Sequence, residues 1–237
     1  MNAFAQFSAV NPGEGYVPVP PPPAIRTLSP KAATTPKDDV LMVLRGLGTT
    51  RSVMRGEPIF KQGDHASAVY RVLSGAVALW HTKPNGRRHV VDFRLPGEFF
   101  GVVHRPEYTI SADATADTVL VAYKRGQIDE ICDALPSFRR SIAALVAEPV
   151  LSKREIALAE RQTSRERIVE FLLAASARGT DGAVSLPVSR RDVADHLDLP
   201  AETVARVLHD LAGAGSITLS SDNEVTVTKG AQLHTAS

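Results

Sequence analysis

Between Arg51 and Lys124 apolar residues recur in short runs: Ser52-Val53-Met54, Ala68-Val69-Tyr70-Arg71-Val72-Leu73, Ala76-Val77-Ala78-Leu79-Trp80, His89-Val90-Val91-Asp92-Phe93 and Thr118-Val119-Leu120-Val121-Ala122-Tyr123. Such runs, separated by Gly56, Gly63, Gly75, Asn85-Gly86 and Pro96-Gly97, predict short strands turning tightly into a small β-barrel or roll. Ahead of them Val40, Leu41, Val43 and Leu44 predict a short helix from about Asp38. Beyond them Ile128 to about Ala159 reads as helical, with an apolar seam of Ile142, Leu145, Val146, Ile156 and Ala159. Pro149 removes the donor for the Leu145 carbonyl and predicts a kink near Glu148, and with Ser152 it leaves the heptad imperfect.

From Ser164 the period of 3.6 becomes regular, placing Ile168, Phe171 and Leu172 on one face. Ser189 with Asp192 three positions on resembles a capping box and opens a helix through Leu197. Asp198-Leu199-Pro200 interrupts the pattern and Ala201 to Leu211 resumes it, which is a helix-turn-helix. Asp198 tolerates the left-handed turn region better than most residues, whereas Pro200 brings no side-chain oxygen to the next helix N-cap.

The two helices sort their residues. Val193, Ala194, Leu197 and Leu199 meet Val204, Leu208 and Leu211, which turns Glu202, Ala205, Arg206 and His209 outward. An arginine that donates twice to guanine, a glutamate that accepts from the cytosine amino group and a methyl for thymine suit the major groove. Glu202, Ala205 and Arg206 are therefore the candidate base readers; as an exposed pair four apart, Glu202 and Arg206 also suit a plain helix ion pair of about 0.3–0.5 kcal/mol. Ser189, Arg190, Arg191, Thr203 and His209 are the candidate phosphate contacts, the two arginines otherwise being solvated surface charges. After Gly213 and Gly215, Ile217-Thr218-Leu219 and Val225-Thr226-Val227 read as a hairpin around Ser220-Ser221-Asp222-Asn223, the wing.

Composition narrows this picture. A chain of 237 residues with 43% hydrophobic content supports two domains, and a net charge of +1 excludes a histone-like binder. From Thr163 onward there are seven Lys/Arg against ten Asp/Glu, so any hold on DNA must come from well-placed cations and weaken with salt. Residues 1–36, with Val17-Pro18-Val19-Pro20-Pro21-Pro22-Pro23, read as a disordered or polyproline-like arm, a solvated tail or a proline ligand. No apolar run reaches a membrane span and no signal-like start is present, so a cytoplasmic protein without membrane contact is expected.

The lone Cys132 excludes an intrachain disulfide, and no clustered Cys/His spacing suggests zinc or an iron–sulfur cluster. Its apolar and acidic surroundings suit inert packing, with a reactive thiol as the other reading. No nucleophile triad, paired carboxylates or phosphate loop emerges, so no catalytic residue, metal or cofactor is expected.

Arg55-Gly56-Glu57-Pro58-Ile59-Phe60-Lys61-Gln62-Gly63-Asp64, Val69-Tyr70-Arg71-Val72-Leu73-Ser74-Gly75 and Leu95-Pro96-Gly97-Glu98-Phe99-Phe100-Gly101 together resemble the cyclic-nucleotide-binding roll of the CRP/FNR superfamily. Glu202-Thr203-Val204-Ala205-Arg206 is similar to that family's E-x-x-[S/G]-R reading motif, with Ala205 in place of serine or glycine. The resemblance spans about Asp38 to Thr228 and implies an α+β protein. Its parts are a β-roll over 37–136, a long dimerisation helix over 137–162 and a winged helix-turn-helix over 163–237. It further implies a homodimer on double-stranded DNA of the TTGA-n-TCAA type, acting with RNA polymerase. Val102 and Ile110 stand where cyclic-AMP-binding relatives carry the ribose glutamate and phosphate arginine, so no cyclic-nucleotide dependence is expected. Lacking cluster cysteines, the chain is most similar to the FixK-like branch, which regulates low-oxygen or nitrogen-oxide genes. The alternative is a ligand- or haem-gated regulator using a histidine among His65, His81, His89 and His104.

Overall fold

The computed structural model describes residues 36–103, 105–147, 163–178, 183–219 and 225–228. The proline-rich arm, His104, Pro149, Ser152, Ile156, Ala159, the expected kink and the hairpin tip lie outside the described residues, as do the side chains of Leu145 and Val146.

Helix α1 (Pro36–Val43) precedes eight strands: β1 (Thr49–Val53), β2 (Pro58–Phe60), β3 (Ala68–Ser74), β4 (Val77–Thr82), β5 (Arg88–Arg94), β6 (Phe99–Phe100), β7 (Ser111–Ala114) and β8 (Thr118–Lys124). They form two antiparallel sheets, ordered β1-β8-β3-β6 and β2-β7-β4-β5. Alternate residues turn inward and close a core of Val53, Phe60, Tyr70, Val72, Leu79, Phe100 and Leu120. The expected roll is present. The strands its hydrophobic runs miss, β2, β6 and β7, are two to four residues long, too short to display alternation.

Gly75 turns β3 into β4 at φ +81°, and a Cβ there would lie 2.5 Å from the Asp117 carbonyl oxygen and 2.8 Å from Thr118 Cα. The Thr118 hydroxyl fastens this turn, accepting from the Ala76 N–H at 3.2 Å and donating to the Ala116 carbonyl at 2.8 Å.

Each sheet is also covered on its outer side. α1, α2 (Arg125–Ala134) and α3 (Pro136–Ala147) cover the first, packing Val40, Leu44, Ile128, Phe138 and Ile142 on Val69, Phe99 and Tyr123. The helical stretch read from Ile128 begins as two helices, broken just before residue 137. Pro136 disfavours helical backbone at Leu135 (φ −129°, ψ 88°) and begins the next helix, where its missing N–H costs nothing. Ile142, expected on a seam between subunits, is instead 3% exposed inside this intrachain cluster.

The outer side of the second sheet presents Ala76, Ala78, Val90, Phe93 and Leu95, which form one core with Ile168, Phe171, Leu172 and Val193 of the C-terminal part. A β-bulge makes this face. Leu79 pairs with Asp92 but Trp80 with Val90, so Val91 is the extra residue. Val90 and Phe93, of opposite parity, then face outward together while Val91 packs into the roll.

The C-terminal part comprises α4 (Ser164–Ala177), β9 (Ala183–Leu186), α5 (Arg190–Leu197), α6 (Ala201–Gly213), β10 (Ile217–Leu219) and β11 (Val225–Thr228). Its sheet, ordered β10-β11-β9, contains the expected wing strands and adds β9, which sequence reading missed. Among the described residues no helix is long and apolar enough to cross a membrane.

Candidate nucleic-acid interface

The reading unit is held from its first turn. Thr163 and Glu166 form a capping box at α4, the Thr163 N–H donating to the Glu166 carboxylate at 2.6 Å and the Glu166 N–H to the Thr163 hydroxyl at 3.3 Å. The T-x-x-E spacing signals it in the sequence. From α4, Arg167 donates to the Leu197 carbonyl, supplying a partner to the end of α5 that the helix itself lacks.

The expected capping box at α5 is present: the Asp192 N–H donates to the Ser189 hydroxyl at 3.1 Å, and that hydroxyl donates to the Asp192 carboxylate at 2.6 Å. The Ser189 hydroxyl hydrogen is thus engaged by Asp192, an arrangement that competes with the expected phosphate contact. Ser189 is a cap. Asp198 adopts the left-handed region at φ 54° and ψ 43°, and Pro200 leaves α6 without a side-chain cap.

On α6, Val204 and Leu208 are 0% exposed and Leu211 1%. Val207, at 7%, joins them, and each such side chain contributes about 1.5–3 kcal/mol on burial. Glu202, Arg206 and His209 are exposed, with Thr203 and Ala205 half-buried at the edge of the same face. Among the described residues no ion pair joins Glu202 to Arg206, so both charged groups are available to a partner. Arg190 and Arg191 lie exposed at the start of α5.

The acidic excess of this part has a structural answer that lay beyond sequence reading. Lys83 Nζ lies 3.2 Å from Asp198, and Arg88 Nη1 lies 2.6 Å from Asp192 and 3.2 Å from Asp195. The β4–β5 hairpin thus supplies the cations that offset the carboxylates of the helix-turn-helix. The hydrogen bond from Lys83 holds Asp198 below its usual carboxylate range. Burial, opposed by the bond to Val90, pushes His196 below its usual value.

Among the described residues the histidines do not converge on a ligand. His89 Nδ1 lies 3.0 Å from the Asp195 carbonyl, His81 meets His89 edge-on at 5.4 Å, and His65 sits in an isolated bridge with Glu107. Among the described residues no group of three His, Cys, Asp or Glu could hold a metal. Val102 and Ile110 pack into apolar clusters. Cys132 is half-buried and burial raises its thiol, which suits packing rather than reaction.

Residues 50–134 match the cyclic nucleotide-binding domain family and residues 166–236 the Crp-like helix-turn-helix domain family. The chain is 36% identical to the nitrogen fixation regulation protein FixK of Azorhizobium caulinodans over 190 residues, 77% of each chain. The protein belongs to the CRP/FNR superfamily, in its FixK-like branch. It is 31% identical to the transcriptional activator protein FnrA of Stutzerimonas stutzeri, over 66% of this chain and 68% of that protein. Its fold matches the structure of FixK2 from Bradyrhizobium japonicum with a TM-score of 0.69 and 31% identity, over 79% of this chain and 96% of that one. As a CRP/FNR protein it is a DNA-binding transcription regulator and not an enzyme.

Proposed function

We propose that the protein is a homodimeric activator, working in the cytoplasm with RNA polymerase, that reads a TTGA-n-TCAA-like palindrome and controls low-oxygen or nitrogen-oxide genes. Glu202, Ala205 and Arg206 read base edges, while Arg190, Arg191, Thr203 and His209 hold phosphates and fix the register. One observation carries this reading: the carboxylate and guanidinium stand exposed one turn apart on a helix whose opposite side is pinned by Val204, Leu208 and Leu211. The face offered to a duplex is therefore rigid as well as open.

The names of the FixK and FnrA relatives support regulation and activation. Selection of bound duplexes from a random pool by the full chain is the test. The expected product has two half-sites related by a dyad, centred about one helical turn apart. Recovery of single half-sites or of no preferred sequence overturns the reading.

A further inference from the structure

The C-terminal part buries Leu172, Val204, Leu208, Leu211 and Ile217 in a core that it shares with Ala78, Val90 and Phe93 of the roll. Polar ties also fasten it to strand β5 at both ends. Arg178, one residue past α4, places Nε 2.9 Å and Nη2 2.7 Å from the two carboxylate oxygens of Glu98, and the same Nη2 donates to the Phe93 carbonyl at 2.6 Å. Glu98 is itself held by the Leu95 N–H at 2.9 Å. A two-pronged guanidinium–carboxylate contact fixes angle as well as distance.

At the other end Arg88 grips Asp192 and Asp195 on α5. Its guanidinium lies 5.1 Å over the Trp80 ring, whose Nε1 donates to Asp113 at 2.7 Å. Both arginines are largely withdrawn from solvent, with side chains 24% and 23% exposed. Strand β5 separates the two ties by roughly 16 Å of extended backbone. One tie would leave a hinge; two so far apart remove rotation.

We infer that Arg88 and Arg178 are positioning residues for DNA reading: they seat α5 and α4 on β5, so that the roll sets the height and angle at which α6 meets the duplex. This rests on the reading of α6 proposed above. Binding one half-site asks only for α6 and its neighbours. Binding two asks for two copies of α6 at a fixed separation, and a loosened seat lowers the effective concentration of the second reader.

The test is fluorescence anisotropy with the full chain on three duplexes: the selected palindrome, the same palindrome with a longer spacer, and a lone half-site. Wild type is expected to prefer the native spacer by about tenfold or more. Arg88→Ala and Arg178→Ala are expected to lose that preference while binding the lone half-site within about twofold of wild type. Arg88→Lys, which keeps a cation facing Asp192 and Asp195, is expected to retain most of it.

A variant that keeps the spacing preference, or that loses half-site affinity in the same proportion, overturns the inference. A wild-type chain that prefers no duplex overturns the α6 reading instead, and amide exchange without DNA then decides the seating. In that measurement Arg88→Ala is expected to expose β5 and α5 while leaving β3 and β8 protected; unchanged protection of β5 and α5 overturns it.

Discussion

His196 Nδ1 lies 2.9 Å from the carbonyl oxygen of Val90, which joins residues 106 positions apart in the chain. A carbonyl only accepts, so Nδ1 carries a proton, and the ring sits between Phe93 and Phe171 with centroids 5.5 and 5.3 Å away. Burial lowers its pKa from 6.5, opposed by the Val90 bond and assisted by His89, Arg178 and Arg167. Unfolding lets the ring take up a proton more readily, so its stabilising share is intact above about pH 6.5 and is lost as the pH falls below it. His89, also lowered mainly by burial, acts in the same direction. Thermal melts are expected to fall from pH 7.5 to 5.5, and less steeply in His196→Asn, whose amide can still donate to Val90. Parallel slopes in the two proteins would remove His196 as the cause.

Arg206→Ala is expected to weaken binding to the selected site by about 1–3 kcal/mol and to relax preference at one base pair. Arg191→Ala is expected to weaken all sequences alike and to reduce the salt slope by about 1. Titrations against matched and single-substituted duplexes at several salt concentrations separate them. Equal, sequence-blind losses would contradict the assignment of reader and clamp.

Ser189→Ala is expected to cost about 1 kcal/mol of stability, the usual loss for an N-cap oxygen. Affinity for DNA, measured on the folded variant, is expected to stay within about twofold of wild type because the hydroxyl hydrogen already belongs to Asp192. A uniform loss of affinity at unchanged stability would return Ser189 to the phosphate contacts.

Two glycine substitutions are expected to act with opposite signs. Gly75→Ala forces a side chain onto φ +81° against backbone atoms at 2.5 and 2.8 Å and is expected to cost about 1–3 kcal/mol or more. Gly126→Ala, in α2 with nothing within 4 Å of the new methyl, is expected to gain up to about 1 kcal/mol. Denaturant unfolding of both variants checks the pair.

The helix-turn-helix was legible because it is local: Ser189, Asp198 and Pro200 punctuate it, and period 3.6 alone sorts Val204 and Leu208 from Glu202 and Arg206. The roll was legible wherever a strand ran long enough to alternate, as in β3 and β8. The ties from Arg88 to Asp192 and from Arg178 to Glu98 were not, since they join residues some 104 and 80 positions apart and depend on which sheet face the C-terminal part covers. Ile142 misled for a related reason: an apolar helical stripe shows that something is buried, not whether the partner is its own chain. The −3 balance of the C-terminal part looked unfavourable only while its carboxylates were counted apart from Lys83 and Arg88.

The extra residue at Val91 makes β5 intolerant of any change in its length. An insertion at the exposed Asn85-Gly86 tip would only lengthen a hairpin, but a single codon gained or lost between His89 and Phe93 would exchange the sheet's two surfaces from that point on. Val90 would then turn toward the barrel interior and the C-terminal part would lose its bed. Drift in this family member should therefore preserve the strand's residue count as strictly as its buried residues Val90 and Phe93.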